Sequence, residues 1–214
     1  MASTDAGART APAEDSYHEG MRRLQDRFDS RRLADRLSER LSRTAFSGDD
    51  RAFVERSRML FLASADEQGR PDCSVKAGEP GFVRVIGDSE LAFPSYDGNG
   101  MFRSLGNLLV NPAVGLLFVD WDRPGRLRVN GSAAVCDPDD PLMDAFAGAQ
   151  LVVRVAVSLI FPNCSRSVHR MALVEPSAYL PRADHEPPQP AWKSFEAFRD
   201  VLPRGDRSRQ DPAS

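Results

Sequence analysis

The chain has 214 residues, a formal net charge of −3, 41% hydrophobic residues and 28% charged residues. This length is enough for one domain with a sizeable core. The slightly acidic net charge excludes the broad positive surface that is typical of a general nucleic-acid-binding protein. The sequence has no run of 18 apolar residues, so it predicts no membrane span.

The first sixteen residues, MASTDAGARTAPAEDS, are small, polar and charged. They lack the apolar centre of a signal peptide, which predicts a disordered leader. The three cysteines, Cys73, Cys136 and Cys164, show no metal-ligand spacing, and no histidine pair supplies one, so we expect no metal site. Without an export signal, the sequence favours a cytoplasmic protein with reduced thiols.

Residues 17–58 show the periodicity of amphipathic helices. Their apolar side chains recur three or four positions apart: Met21, Leu24, Phe28, Leu33, Leu37 and Leu41. Ser30 is placed to cap a second helix, and Ser47 or Asp49 a third. We interpret this segment as a helical N-terminal extension that packs on a larger domain.

Beyond Arg58 the periodicity becomes that of strands. The predicted strands lie in MLFLASA, PDCSVKAG, GFVRVIG, ELAFPS, AVGLLFVDW, RLRVNGSAAV and AQLVVRVAVSLIF, with a last strand or strand edge in VHRMALVEP. One helix, from about Gly100 to Val110, interrupts them. Strands joined mostly by tight turns favour an antiparallel barrel or sandwich, which we place at residues 59–180.

Residues 181–214 form a Pro-rich tail. It contains one short amphipathic segment with Trp192, Phe195 and Phe198, for which we predict a helix. The last ten or so residues are polar and charged, and they are predicted to be disordered.

The segment SYDGNGMFRSLGN has a composition that core packing does not require. A Gly-Asn-Gly turn precedes a predicted helix with Arg103, Ser104 and Asn107 near its start. Free backbone N–H groups, a guanidinium and a hydroxyl together would suit a phosphate. The alternative, of equal weight, is that Arg103 faces solvent and Asn99 caps the helix. A dinucleotide-binding glycine motif is excluded because Arg103 stands where its third glycine belongs.

Two predicted strands add further polar groups. Ser74 and Lys76 should share one face of PDCSVKAG, and Arg126 and Arg128 one face of RLRVNG. Together they could bind a flat anionic ligand, or each could simply face water. No serine lies in a nucleophile elbow.

Several strings resemble the pyridoxamine 5′-phosphate oxidase-like family of FMN-binding split barrels. They are FLASADEQGRPDCSVKAG, ELAFPSYDGNGMFRSLGNLLVNPAVGLLF, RLRVNG and FPNC, and the similarity covers roughly residues 56–174. The preceding YHEGMRRLQDRFDSRRLADRL resembles a flavin-nucleotide-binding subgroup of that family. The resemblance implies a mainly β fold, a six-stranded antiparallel split β-barrel with N-terminal helices and short rim helices. It also implies a homodimer with FMN at the subunit interface.

The resemblance assigns FMN contacts to this chain. Arg103 and Ser104 correspond to the family's phosphate-binding pair, in which a second basic residue has here become a serine. The strand that lines the flavin corresponds to residues 73–76. The full set of expected FMN-binding residues is Cys73, Ser74, Val75, Lys76, Tyr96, Asp97, Gly98, Asn99, Arg103, Ser104, Asn107 and Arg126. Tyr96 and His169 are the candidates for proton transfer.

The function implied is that of an FMN-dependent oxidoreductase acting on an unidentified small molecule, with oxygen or a nicotinamide cofactor regenerating the flavin. The family's Arg-x-His substrate segment has only the counterpart SRSVHRM here, so a vitamin B6 substrate is not implied. The alternatives are a non-catalytic flavin-binding or redox-sensing protein, and a haem-binding or deazaflavin-dependent split-barrel protein.

Overall fold

The computed structural model describes residues 17–182 and 185–209. They divide into two compact units, one extending to residue 172 and the other beginning at residue 173. The leader predicted for residues 1–16 lies outside the described residues.

Three helices open the first unit: α1 (Glu19–Arg27), α2 (Arg31–Leu41) and α3 (Gly48–Arg56). Ser47 caps α3 as predicted, because its hydroxyl accepts from the N–H of Asp50 while the Asp50 carboxylate accepts from the N–H of Ser47. Ser30 precedes α2, but its side chain makes no capping bond. No helix within the described ranges is long and apolar enough to cross a membrane.

Seven strands follow and form one antiparallel sheet in the order β2-β1-β5-β6-β7-β4-β3. They are β1 (Met59–Ala65), β2 (Pro71–Ala77), β3 (Arg84–Gly87), β4 (Glu90–Ser95), β5 (Ala113–Asp120), β6 (Gly125–Val135) and β7 (Leu151–Asn163), with helix α4 (Arg103–Val110) between β4 and β5. The family resemblance implied six strands, one fewer than observed, whereas the strand pattern predicted a segment for each of the seven, including the four-residue edge strand β3.

The strand predicted in residues 168–176 does not form. One side of β7 pairs with β6 as far as Asn163, and the other side pairs with β4 as far as Ala156 and with Arg43 at Ile160. The N–H of Met171 in this segment donates to the carbonyl of Trp121, the residue after β5, at 3.0 Å. Its apolar side chains Leu173 and Val174 are exposed.

The larger of the two buried apolar clusters in the described part of the first unit lies on one face of the sheet. The register places Leu62 beside Leu116, and Leu116 beside Val129, and all three are buried. Leu127 is also buried, whereas Arg128 and Asn130 are exposed, so the predicted alternation of β6 is confirmed. This register determines which polar side chains can share a surface.

The second unit contains no long helix in its described part. The predicted tail helix is instead a 3-10 turn (Ala191–Ser194) followed by the four-residue α5 (Glu196–Arg199), because Phe195 between them has an extended backbone. The ammonium of Lys193 lies 2.8 Å from the Asp206 carboxylate, and both side chains are buried. Of the end predicted to be disordered, residues up to 209 are therefore structured, and residues 210–214 lie outside the described ranges.

Candidate functional site

A cleft of about 400 Å³ lies between β2 and α4. This volume is within the range of small-molecule sites. Its lining residues are Asp66, Arg70, Pro71, Asp72, Arg103 and Asn107. The cleft therefore includes two of the residues that the sequence predicted, Arg103 and Asn107.

Helix α4 begins three residues later than predicted. Gly100 (φ +73°) and Phe102 (φ +48°) have left-handed backbones, which keep this part of the chain in a turn. The Asn99 carboxamide oxygen accepts from the N–H of Met101 at 3.0 Å, so Asn99 shapes that turn and does not cap the helix. No side chain caps α4, and its first-turn N–H groups therefore have no side-chain acceptor.

Ser104 is tied to β2. Its hydroxyl lies 2.9 Å from the Asp72 carboxylate and 2.8 Å from the Ser74 hydroxyl. A hydroxyl carries one proton, and both the Asp72 carboxylate and the Ser74 hydroxyl are placed to accept it. Ser104 is also buried. Its hydroxyl thus holds α4 in place and has no second proton to donate to a ligand.

Asn107 anchors the same helix to the neighbouring strand. Its amide donates to the hydroxyl of Ser64 on β1 at 3.1 Å. Leu105 and Leu108, on the buried side of α4, pack in the core. Polar and apolar contacts together fix the orientation of α4, and with it the position of Arg103.

The cleft carries both signs of charge. Arg103 is 72% exposed, and its Nε lies 3.9 Å from a carboxylate oxygen of Asp72. On the opposite side, the Arg70 guanidinium pairs with Asp66 at 2.6 Å. The pKa of Asp66 is lowered, mainly because its carboxylate accepts from the backbone N–H of Arg70. Burial raises the pKa of Asp66, and the hydrogen bond from the Arg70 side chain lowers it further. Asp66 is therefore a stable anion held within its own turn.

Lys76 lies further along the same face of β2. Ser74 pairs in register with Leu62 and Lys76 with Leu60, so both follow the core-facing side of the sheet. Burial lowers the pKa of Lys76, and the charge of Asp72 opposes that effect. Lys76 adds a partly desolvated positive charge to the face that carries Ser74.

The other predicted strand residues lie on the opposite face. Cys73 and Val75 are exposed there. Leu127 pairs with Phe118, and Phe118 pairs with Leu60, so Leu127 lies on the face that carries Lys76. Arg126 precedes Leu127 on β6 and therefore lies on the opposite face. Within one chain, therefore, Arg126 does not share a surface with Ser74 and Lys76. Its guanidinium donates to the carbonyl of Cys164, while its Nε is buried without a partner.

The residues after β4 form a separate group. Burial raises the pKa of Tyr96, with the charge of Arg84 opposing. Asp97 accepts from the side chain of Gln150 at 3.0 Å, and Gly98 lies in the exposed turn. His169 is exposed after β7. Neither Tyr96 nor His169 lines the cleft.

Four cleft residues were not predicted: Asp66, Arg70, Pro71 and Asp72. Strand alternation could have identified Asp72, because it precedes Ser74 by two residues and so lies on the same face of β2. Asp66 and Arg70 belong to the turn between β1 and β2, and only the packing of α4 beside that turn shows that they reach the site. No cluster of three or more metal-ligating side chains occurs among the residues that the structure describes.

Comparison with known proteins gives a family match and several structures of similar fold. Residues 47–172 match the family model described as pyridoxamine 5′-phosphate oxidase. No curated protein shows significant similarity to the chain. HupZ of Group A Streptococcus is 17% identical, with a TM-score of 0.45 over 59% of this chain and 99% of its own. HutZ, the haem storage protein of Vibrio cholerae, is 19% identical, with a TM-score of 0.41 over 55% of this chain and 95% of its own. An FAD-binding protein of Mesorhizobium loti is 13% identical, with a TM-score of 0.39 over 58% and 99%.

Proposed function

Because the chain belongs to the pyridoxamine 5′-phosphate oxidase family, we propose that it binds FMN and acts as an FMN-dependent oxidoreductase on a small molecule. A bound flavin supplies hydride transfer, so the protein's own task is binding, orientation and electrostatics. We further propose that a nicotinamide cofactor or oxygen exchanges electrons with the flavin.

One observation carries the proposal: Arg103 stands at the uncapped start of α4, on the wall of the cleft. The positive end of the helix dipole and a guanidinium both favour a phosphate. The 3.9 Å separation from Asp72 is longer than a hydrogen bond, so Arg103 keeps its donors for a ligand. The phosphate end of FMN therefore fits these residues, with Arg103 and the first-turn N–H groups as its partners.

The remaining expected contacts support a homodimer. Cys73, Val75 and Arg126 lie on the sheet face opposite to Ser74 and Lys76, so one chain cannot present them all to one flavin. A second chain packed against that face would bring its own outward residues to the bound ligand. Val75 is 53% exposed and would be covered by such packing. We propose that two chains share each FMN site.

A non-catalytic flavin-binding protein is the second candidate. It is favoured by the absence of Tyr96 and His169 from the cleft lining, since an oxidoreductase commonly needs a group that moves a proton. Adding NADH or NADPH to the FMN-loaded protein separates the two candidates. Reduction of the flavin supports the oxidoreductase, whereas reduction by dithionite alone favours the binding protein over a nicotinamide-dependent oxidoreductase.

The Arg103→Glu variant tests the phosphate site. Losing a charged hydrogen bond and placing a carboxylate beside the phosphate should weaken FMN binding about a hundredfold. Quenching of flavin fluorescence during titration measures the Kd. Arg32→Glu is the matched control, because Arg32 is exposed in the first turn of α2 and the charge change is the same. Equal Kd values for Arg103→Glu and the control would eliminate Arg103 as a phosphate ligand.

A further inference from the structure

The charges that line the cleft nearly cancel. Arg70 and Asp66 are joined in an ion pair within one turn. Asp72 and Arg103 remain beside the start of α4, one on the strand and one on the helix. A phosphate that binds Arg103 therefore also meets the carboxylate of Asp72.

Asp72 is held in this position. One carboxylate oxygen accepts from the buried hydroxyl of Ser104, and the other lies 3.9 Å from the Nε of Arg103. The Asp72 side chain is 22% exposed, so the carboxylate stays close to any ligand on the helix terminus. The protein thus places a fixed negative charge beside the positive one.

We propose that Asp72 makes this cleft nearly indifferent to the charge of a phosphate group, so that a doubly charged phosphomonoester binds little better than a singly charged phosphodiester. The inference rests on the proposed flavin site. Coulomb attraction to a site grows with the charge of the ligand and with the net charge of the site. Because Asp72 offsets Arg103, the second negative charge of a monoester gains little attraction. Recognition then depends on hydrogen bonds from Arg103 and the first-turn N–H groups.

Three flavins that differ in phosphate charge test the inference: FMN, riboflavin 4′,5′-cyclic phosphate and riboflavin. At pH 8 and low salt they carry about two, one and no negative charges on this group, since the second ionisation of a phosphomonoester has a pKa of about 6. Flavin fluorescence titrations of the full chain give a Kd for each. The Kd of the wild-type chain for the cyclic phosphate should lie within about threefold of its Kd for FMN.

The Asp72→Asn variant keeps an oxygen that can accept from Ser104 but removes the charge. One unit charge at about 6 Å in water changes affinity about threefold per ligand charge. The variant should therefore bind FMN about tenfold tighter and the cyclic phosphate about threefold tighter, with riboflavin unchanged. At 1 M salt the Debye length falls to about 3 Å, so the gains should largely disappear.

Asp122→Asn is the control, since Asp122 is exposed in the turn between β5 and β6. It should leave all three Kd values unchanged. Parallel changes for all three flavins in Asp72→Asn would show that the residue only supports α4, and would overturn the inference. Unchanged FMN affinity in that variant would overturn it as well. If the wild-type chain binds none of the three, the proposed function itself is wrong and the inference fails with it.

Discussion

Replacing Gly131 with alanine is expected to lower the free energy of unfolding by about 3 kcal/mol, the upper part of the usual range for overpacking. A Cβ built on Gly131 would lie 2.2 Å from the carbonyl oxygen of Ala156 and 2.9 Å from a methyl group of Val155. The pairing of β6 with β7 shifts register between Asn130 and Gly131, so the two backbones approach closely there. Since the obstacle is backbone of a central strand, it cannot rotate away.

Thermal unfolding measures this effect. In a chain of this size, 3 kcal/mol corresponds to a fall in Tm of about 6–12 °C. Gly106→Ala is the matched control, because a Cβ at this helical position meets nothing within 4 Å. Alanine there should stabilise the protein by about 0.5–1 kcal/mol through helix propensity. Equal Tm values for the two variants would contradict the described contact between β6 and β7.

The Asp50→Ala variant is expected to lose about 3 kcal/mol of stability, the lower end of the cost of breaking a buried ion pair. Asp50 is buried and receives two bonds from the Arg43 guanidinium, at 2.6 and 2.9 Å. It also completes the capping box with Ser47 at the start of α3. The backbone of Arg43 exchanges two hydrogen bonds with Ile160 of β7, so this carboxylate links α3 to the sheet.

Urea unfolding of Asp50→Ala should show a lower midpoint with a similar slope. Asp49→Ala provides the comparison, because Asp49 is an exposed acid in the same helical turn. Its loss removes only the favourable interaction with the helix dipole, about 0.3–1 kcal/mol. A smaller effect for Asp50→Ala than for Asp49→Ala would show that the Arg43 pair does not stabilise the fold.

Local sequence patterns predicted most of the strands. The bounds of β1 and β4 are those of the predicted MLFLASA and ELAFPS. β1 alternates in burial, whereas β4 is a short run buried from Leu91 to Ser95. The same pattern failed at residues 168–176. Alternation shows that a segment could pair, but it does not show whether any sheet edge is free beside it.

The candidate site was less predictable because it depends on register. Arg103 was identified from the turn and helix that surround it. Sequence alone could not show that the hydroxyl of Ser104 on α4 is bound to Asp72 on β2. Nor could it show that Arg126 and Ser74 lie on opposite faces, since that follows from the pairing of four strands.

Flavin binding is the central claim, and the visible absorption spectrum of protein purified without added cofactor tests it most directly. The compound released by heat is identified by mass spectrometry, and the emptied protein is titrated with FMN. The account predicts a flavin spectrum, the mass of FMN and saturable rebinding. A haem or deazaflavin signature would contradict it, and so would a colourless protein that fails to bind added FMN.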